Sequence, residues 1–156
     1  MNAQRQRGMT LIEVMVAILI FSLGILALMG LHANSIATSS AAKYRTDASF
    51  LANQLFGHLW TNRATLESSP TQFAHRPGAG TGADLCAPTG AAATHAAVTA
   101  WLGDVQVALP GAVADRQQVR VEANQLVIVT ICWRVAGETG WRNHIEVAQL
   151  VGSSIN

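Results

Sequence analysis

A long stretch without any charged side chain dominates the N-terminal third of the chain. Residues 14–42 contain no Asp, Glu, Lys or Arg, and most of the strongly apolar residues lie between Leu11 and Leu31. The uncharged segment from Val14 to Leu31 would cover about 27 Å as an α-helix, which is close to the thickness of the hydrocarbon core of a bilayer. The stretch therefore predicts one transmembrane segment over about residues 14–31.

Charged residues at the start of this stretch bear on how it is used. Arg5 and Arg7 favour a cytoplasmic N-terminus with the rest of the chain translocated. An ordinary signal peptide has a similar layout, and residues 35–37 (Ser-Ile-Ala) form a weak cleavage site for its peptidase. Two features argue against that alternative. The apolar run is longer than usual, and it begins with Glu13, a carboxylate that costs about 2.5 kcal/mol at mid-membrane and so usually has a function.

Residues 8–13 (Gly-Met-Thr-Leu-Ile-Glu) resemble the processing site of type IV prepilins. In that family a short basic leader ends in Gly and is followed by an apolar residue, Thr-Leu-Ile-Glu and a long hydrophobic helix. The resemblance implies that prepilin peptidase cuts between Gly8 and Met9 and that the new amino group of Met9 is methylated. Family members usually have Phe where this chain has Met9.

The same resemblance implies a role for Glu13 in subunit assembly. Cleavage would create a terminal amine one helical turn before Glu13, and in the family this carboxylate attracts the amine of a neighbouring subunit. Because a buried charge with a partner costs much less than an unpaired one, the pair would favour one axial register. The alternative is that Glu13 only stabilises the positive end of the helix dipole.

The apolar pattern continues beyond Leu31 as an amphipathic helix. No proline precedes Pro70, so one helix from about Thr10 to Asn62 is predicted, with its second half packed on a globular head. The residues at spacings of three or four that define its apolar stripe are Ala37, Ala41, Tyr44, Ala48, Leu51, Leu55 and Leu59.

The remainder of the chain predicts a small α+β head. Residues 68–90 are rich in Pro, Gly, Ala, Ser and Thr and predict an irregular connection, whereas residues 91–109 predict a helix with Trp101 as a packing anchor. Three strands follow, separated by short turns at Asn124 and at residues 137–140, which predicts an antiparallel meander. The strands are predicted at residues 118–123, 125–135 and 142–151.

The fold class is therefore α+β, a long N-terminal helix against a small antiparallel sheet. The head residues 101–102, 109–110 and 127–134 resemble PilV-type minor pilins.

Two cysteines, Cys86 and Cys132, lie too far apart in sequence for a local redox or zinc motif. An oxidising compartment favours a disulfide between them. By limiting the conformations of the unfolded chain, it would stabilise the folded state by on the order of 4 kcal/mol. Two free buried thiols are the alternative.

Several classes of function are disfavoured by the sequence. Without the first eight residues, eight basic residues face nine acidic ones, and no basic cluster suited to nucleic acid is present. The five histidines are scattered, and His144 with Glu146 on one strand face does not make a metal site. The sequence has no catalytic motif, so no enzymatic activity, metal or cofactor is expected.

The resemblance then implies a domain plan and a function. Residues 1–8 would be the leader, 9–62 the pilin helix, and 63–156 a periplasmic head. The expected function is a minor pilin in the bacterial inner membrane that joins a type IV pilus on the cell surface and contributes to pilus initiation, adhesion or twitching motility. Its expected partners are prepilin peptidase, other major and minor pilins, inner-membrane lipid and the pilus assembly platform. Alternatives are a minor pseudopilin of type II secretion, a DNA-uptake pilin, and a periplasmic enzyme released by ordinary signal peptidase.

Overall fold

The structure is a computed structural model that describes residues 10–79, 84–123 and 125–150. The chain divides into two compact units, Met1–Ala42 and Lys43–Asn156, and we call the second unit the head. The predicted α+β class is confirmed. The helices are α1 (Leu11–Thr61), α2 (Arg63–Ser68) and α3 (Ala96–Ala108), with 3-10 turns at Pro70–Gln72 and Ala114–Arg116, and the strands are β1 (Gln118–Val121), β2 (Leu126–Trp133) and β3 (Arg142–Gln149).

The part of α1 in the first unit is apolar and exposed. Leu11–Met29 has a mean hydropathy of 2.7, and none of it is buried within the protein. These 19 residues would span about 28 Å, so the segment is long and apolar enough to cross a bilayer. The core helix of a soluble protein would instead be covered by other elements, whereas the described residues leave this one uncovered.

In the head, α1 supplies one wall of the hydrophobic core. The predicted stripe is confirmed there, because Leu51, Leu55 and Leu59 are buried. The indole Nε1–H of the buried Trp101 on α3 donates a hydrogen bond to the carbonyl of Leu51 at 2.8 Å, so Trp101 is the packing anchor that the sequence predicts. The opposite wall is the apolar face of β2, formed by Val127, Val129, Ile131 and Trp133.

The sheet is an antiparallel meander in the order β1-β2-β3, as predicted. All three strands begin within one residue of the predicted starts, and β1 and β2 end two residues earlier than predicted. Asn124 and Val151 lie outside the described residues. At the second turn, Gly137 has a φ of +88°, a backbone conformation that is strained for residues with a side chain. The N–H of Glu138 donates a hydrogen bond to the carbonyl of Val135 and closes this turn.

Helix α3 begins at Ala96 rather than at residue 91, so its predicted start is wrong. Alanine favours helix, but the backbone N–H groups of Thr94 and His95 both donate to the carbonyl of Gln72, which keeps these residues outside the helix. The ring of His95 then accepts a hydrogen bond from the N–H of Ala97 and acts as the N-cap. Tertiary contacts therefore override the local preference at this end.

The connection before α3 is largely irregular, as predicted. It contains the 3-10 turn Pro70–Gln72, and two isolated bridges pair His75 with Val119 and Gly78 with Thr89. The bridge at His75 places this segment along the free edge of β1. The connection is therefore held to the sheet although it forms no continuous strand within its described part.

Candidate assembly site at the start of helix α1

Glu13 lies in the first turn of α1 with an exposed side chain. Its backbone N–H and that of Val14 both point to the carbonyl of Thr10, at 3.1 and 3.4 Å, so this carbonyl closes the first helical turn. An acidic residue in the first turn interacts favourably with the helix dipole. That interaction alone is consistent with the simpler of the two roles predicted for Glu13.

The surroundings of Glu13 distinguish it from an ordinary first-turn acid. It is the one residue with a formal charge in the segment 10–42, and the next basic residue along the chain is Lys43. Within the described residues no Lys, Arg or His side chain forms an ion pair with Glu13. A carboxylate at the start of an apolar, uncovered helix needs a partner if it leaves water. Candidates for such a partner are Arg5 or Arg7, a chain terminus or another molecule.

Gly8 and Met9, the predicted cleavage and methylation residues, lie outside the described residues. In sequence Met9 precedes Glu13 by four positions, which is about one turn of helix. The predicted chemistry at this position therefore remains a prediction.

The two cysteines are brought together by the fold and form a disulfide, with their Cα atoms 5.7 Å apart. The bridge ties the loop at Cys86 to Cys132 on β2. Cys132 is buried on the strand face opposite to the one that lines the hydrophobic core. The same loop is held by the guanidinium of Arg116, which donates to the carbonyl of Cys86 at 2.8 Å. The pair thus fastens the irregular connection to the sheet, in agreement with the sequence prediction.

Gln117 completes the backbone pairing of Cys132. Strand β1 begins one residue later, at Gln118 opposite Thr130, so Cys132 has no backbone partner on that side. The buried amide of Gln117 takes this place, because its oxygen accepts from the N–H of Cys132 at 2.8 Å and its nitrogen donates to the Cys132 carbonyl at 2.9 Å. Sequence reasoning missed this residue, since a glutamine just before a strand carries no signal of burial.

His75 is a second buried polar residue that the sequence did not single out. Its Nε2 donates to the carbonyl of Ala114 at 3.0 Å, and its Nδ1 accepts from the N–H of Ala93 at 3.2 Å. Both ring nitrogens are therefore used to join segments of the head. This arrangement is structural, and it leaves no nitrogen free to act as a base or a metal ligand.

His144 and Glu146 share one face of β3, as predicted, and their side chains lie 2.7 Å apart. Both are half-buried, and in the described part of the chain no cluster of three or more His, Cys, Asp or Glu residues is placed to hold a metal ion. The pair is best explained as a local polar contact on the edge strand.

The arginines of the head bear on nucleic-acid binding. Most of them are paired with a nearby carboxylate, which reduces the positive potential that phosphate binding requires. The pairs are Arg63–Glu67, Arg76–Asp115, Arg116–Asp84, Arg120–Glu122 and Arg142–Glu138. In the last pair, hydrogen bonding from Arg142 lowers the pKa of Glu138 below its usual value, which keeps this carboxylate charged.

Comparison with known families gives one match. The family model of the prokaryotic N-terminal methylation motif matches residues 3–29, a range that includes residues 8–13 and most of the apolar helix. No curated protein and no solved structure matches the chain. The motif supports a type IV pilin-like or pseudopilin-like protein, and it implies processing by prepilin peptidase and assembly with other pilins. Together with the exposed apolar helix, it fits anchoring in the inner membrane before assembly.

Proposed function

We propose that this chain is a minor pilin of the type IV pilus system, of the PilV kind, that contributes to pilus initiation and to adhesion or motility. The observation that carries the proposal is the first turn of α1. Glu13 lies in the first turn of an apolar helix that the described residues leave uncovered, no described basic group pairs with it, and it lies inside the matched methylation motif. A helix of this kind needs both a bilayer and, later, neighbouring helices to cover its surface.

The proposed route to the filament begins with the leader, residues 1–8. Prepilin peptidase cuts after Gly8, and methylation of the amine keeps the positive charge of Met9. The chain then stays in the inner membrane as a single-pass protein, with residues 9–62 as the pilin helix and residues 63–156 on the periplasmic side. When subunits stack, the carboxylate of Glu13 pairs with the terminal amine of a neighbour. Because any other axial register would leave a buried charge without a partner, this pair fixes the register.

A head that is translocated to an oxidising compartment agrees with this route. The disulfide Cys86–Cys132 lies in the head, and disulfides persist in the bacterial periplasm and on the cell surface but rarely in the cytosol. The ion-paired arginines favour a structural subunit over a DNA-uptake pilin, because few basic groups remain available for phosphates.

A minor pseudopilin of type II secretion is the second candidate, because the methylation motif serves both systems. Fractionation of the producing strain separates them. We expect the protein in the sheared-fibre fraction, detected by immunoblot, and we expect it to leave that fraction when the major pilin is deleted but not when the major pseudopilin is deleted. The reverse dependence would assign the chain to secretion, and absence from fibres in every strain would contradict the pilin assignment.

A further inference from the structure

An open groove lies between α1 and α3 on the surface of the head. Its volume is about 390 Å³, and the buried Leu51 forms part of its lining. Two large apolar side chains border it without cover, Phe50 on α1 with 70% of its surface exposed and Val107 on α3 with 90% exposed. Exposed apolar side chains on both sides of a groove are typical of a surface that binds another protein.

The groove carries one carboxylate that is not neutralised. Asp47 at its border is paired with Lys43, at 2.8 Å. Asp104 receives a hydrogen bond from the amide of Gln54 at 3.1 Å, and no described basic side chain pairs with it. An apolar groove with one free negative charge fits a partner surface that presents a positive charge.

The same chain has a free cation on the other side of α1. Arg45 is exposed, and no described carboxylate pairs with its guanidinium. It precedes Asp47 by two positions, which is about 200° around a helix, so it points away from the groove. The head therefore has an apolar groove with one free carboxylate on one side of α1 and, on the opposite side, an arginine that no described carboxylate pairs with.

We propose that the groove of one copy binds the Arg45 side of α1 of a second copy, with the guanidinium of that arginine paired to Asp104. The two surfaces differ, so the contact is heterologous and leaves one groove and one Arg45 open at the ends. A contact of this kind propagates into rings or helical filaments instead of stopping at a dimer. The inference rests on the proposed function, since it assigns a head contact to a chain that assembles through its N-terminal helix.

Photo-cross-linking in the membranes of the producing strain tests the contact. The full-length chain carries benzoylphenylalanine in place of Val107, and a second copy with a different tag is produced beside it. We expect an adduct that contains both tags. Reversing one charge, by Asp104→Arg or Arg45→Asp, should reduce its yield by about fivefold, because an attractive surface pair becomes a repulsive one. Both reversals in the same chain should restore the yield.

The chain offers a matched control position and a matched control charge. Val147 is the same residue type with 54% of its surface exposed, and it lies on β3 away from the groove, so a probe there should give no two-tag adduct. Reversing Glu122, an exposed carboxylate at the end of β1, should leave the yield at Val107 unchanged. Equal adducts at Val147, adducts at Val107 with a different protein only, or a double reversal that fails to restore the yield would each overturn the proposal.

A separate readout keeps this result distinct from the proposed function. Mass measurement of the N-terminus is made on the same membranes. If the chain is cleaved after Gly8 and no two-tag adduct forms, the groove contact is wrong and the proposed function stands. If the chain is not cleaved there, the proposed function itself is contradicted.

Discussion

Replacing Glu13 with glutamine is expected to lower the amount of this protein in sheared fibres about a hundredfold relative to the amount in the membrane. The substitution keeps the size of the side chain and removes its charge. The terminal amine of the neighbouring subunit would then enter an apolar helix bundle without a partner, which costs about 3 kcal/mol or more. A penalty of that size corresponds to about a hundredfold in an assembly equilibrium. Quantitative immunoblotting of the two fractions measures the effect.

Two matched variants make this result specific. Glu13→Asp keeps the charge on a shorter side chain and should retain a substantial part of the incorporation. Glu122→Gln removes an exposed charge from the head and should have no effect. If Glu13→Gln enters fibres at the level of the unsubstituted protein, the carboxylate does not pair with an amine during assembly, and only the helix-dipole role remains.

Removing the disulfide should cause the largest loss of stability in the head. The bridge closes a loop of 46 residues, and the double variant Cys86→Ala with Cys132→Ala should lower the free energy of unfolding by about 4 kcal/mol. Fluorescence of the full-length protein in detergent reports this change, because all four tryptophans lie in the head and two of them, Trp101 and Trp133, are buried.

Reduction provides the control for the disulfide variant. A reductant should lower the midpoint of denaturation of the unsubstituted protein to about that of the double variant, and it should leave the double variant unchanged. A reductant effect of similar size on both proteins, or on neither, would contradict the stabilising role of the bridge.

The long helix and the sheet could be predicted because their patterns are local. The apolar stripe of α1 repeats every three or four residues, and its buried part from Ala48 to Leu59 is the part that meets the sheet. The strands are rich in β-branched residues and lie close together in sequence, so their order follows from short turns. Pairing of Cys86 with Cys132 needed no choice among partners, because the chain has two cysteines.

Features set by tertiary contacts could not be predicted. The start of α3 depends on hydrogen bonds from Thr94 and His95 to Gln72, more than twenty positions away. The burial of Gln117 depends on where β1 begins relative to Cys132. The groove beside Phe50 arises from the separation of α1 and α3. No pattern in the sequence indicates how far apart two helices pack. For the candidate site, the sequence supplies the residues around Glu13, and the structure adds that no described basic group pairs with it.

The mass of the mature N-terminus tests the central claim most directly. The claim is that the leader is removed to create a charged amine beside Glu13, and it predicts a chain that begins at Met9 and carries one added methyl group. An unmethylated chain that begins near Thr38 would instead show release by ordinary signal peptidase, and it would contradict both the assembly site and the filament function.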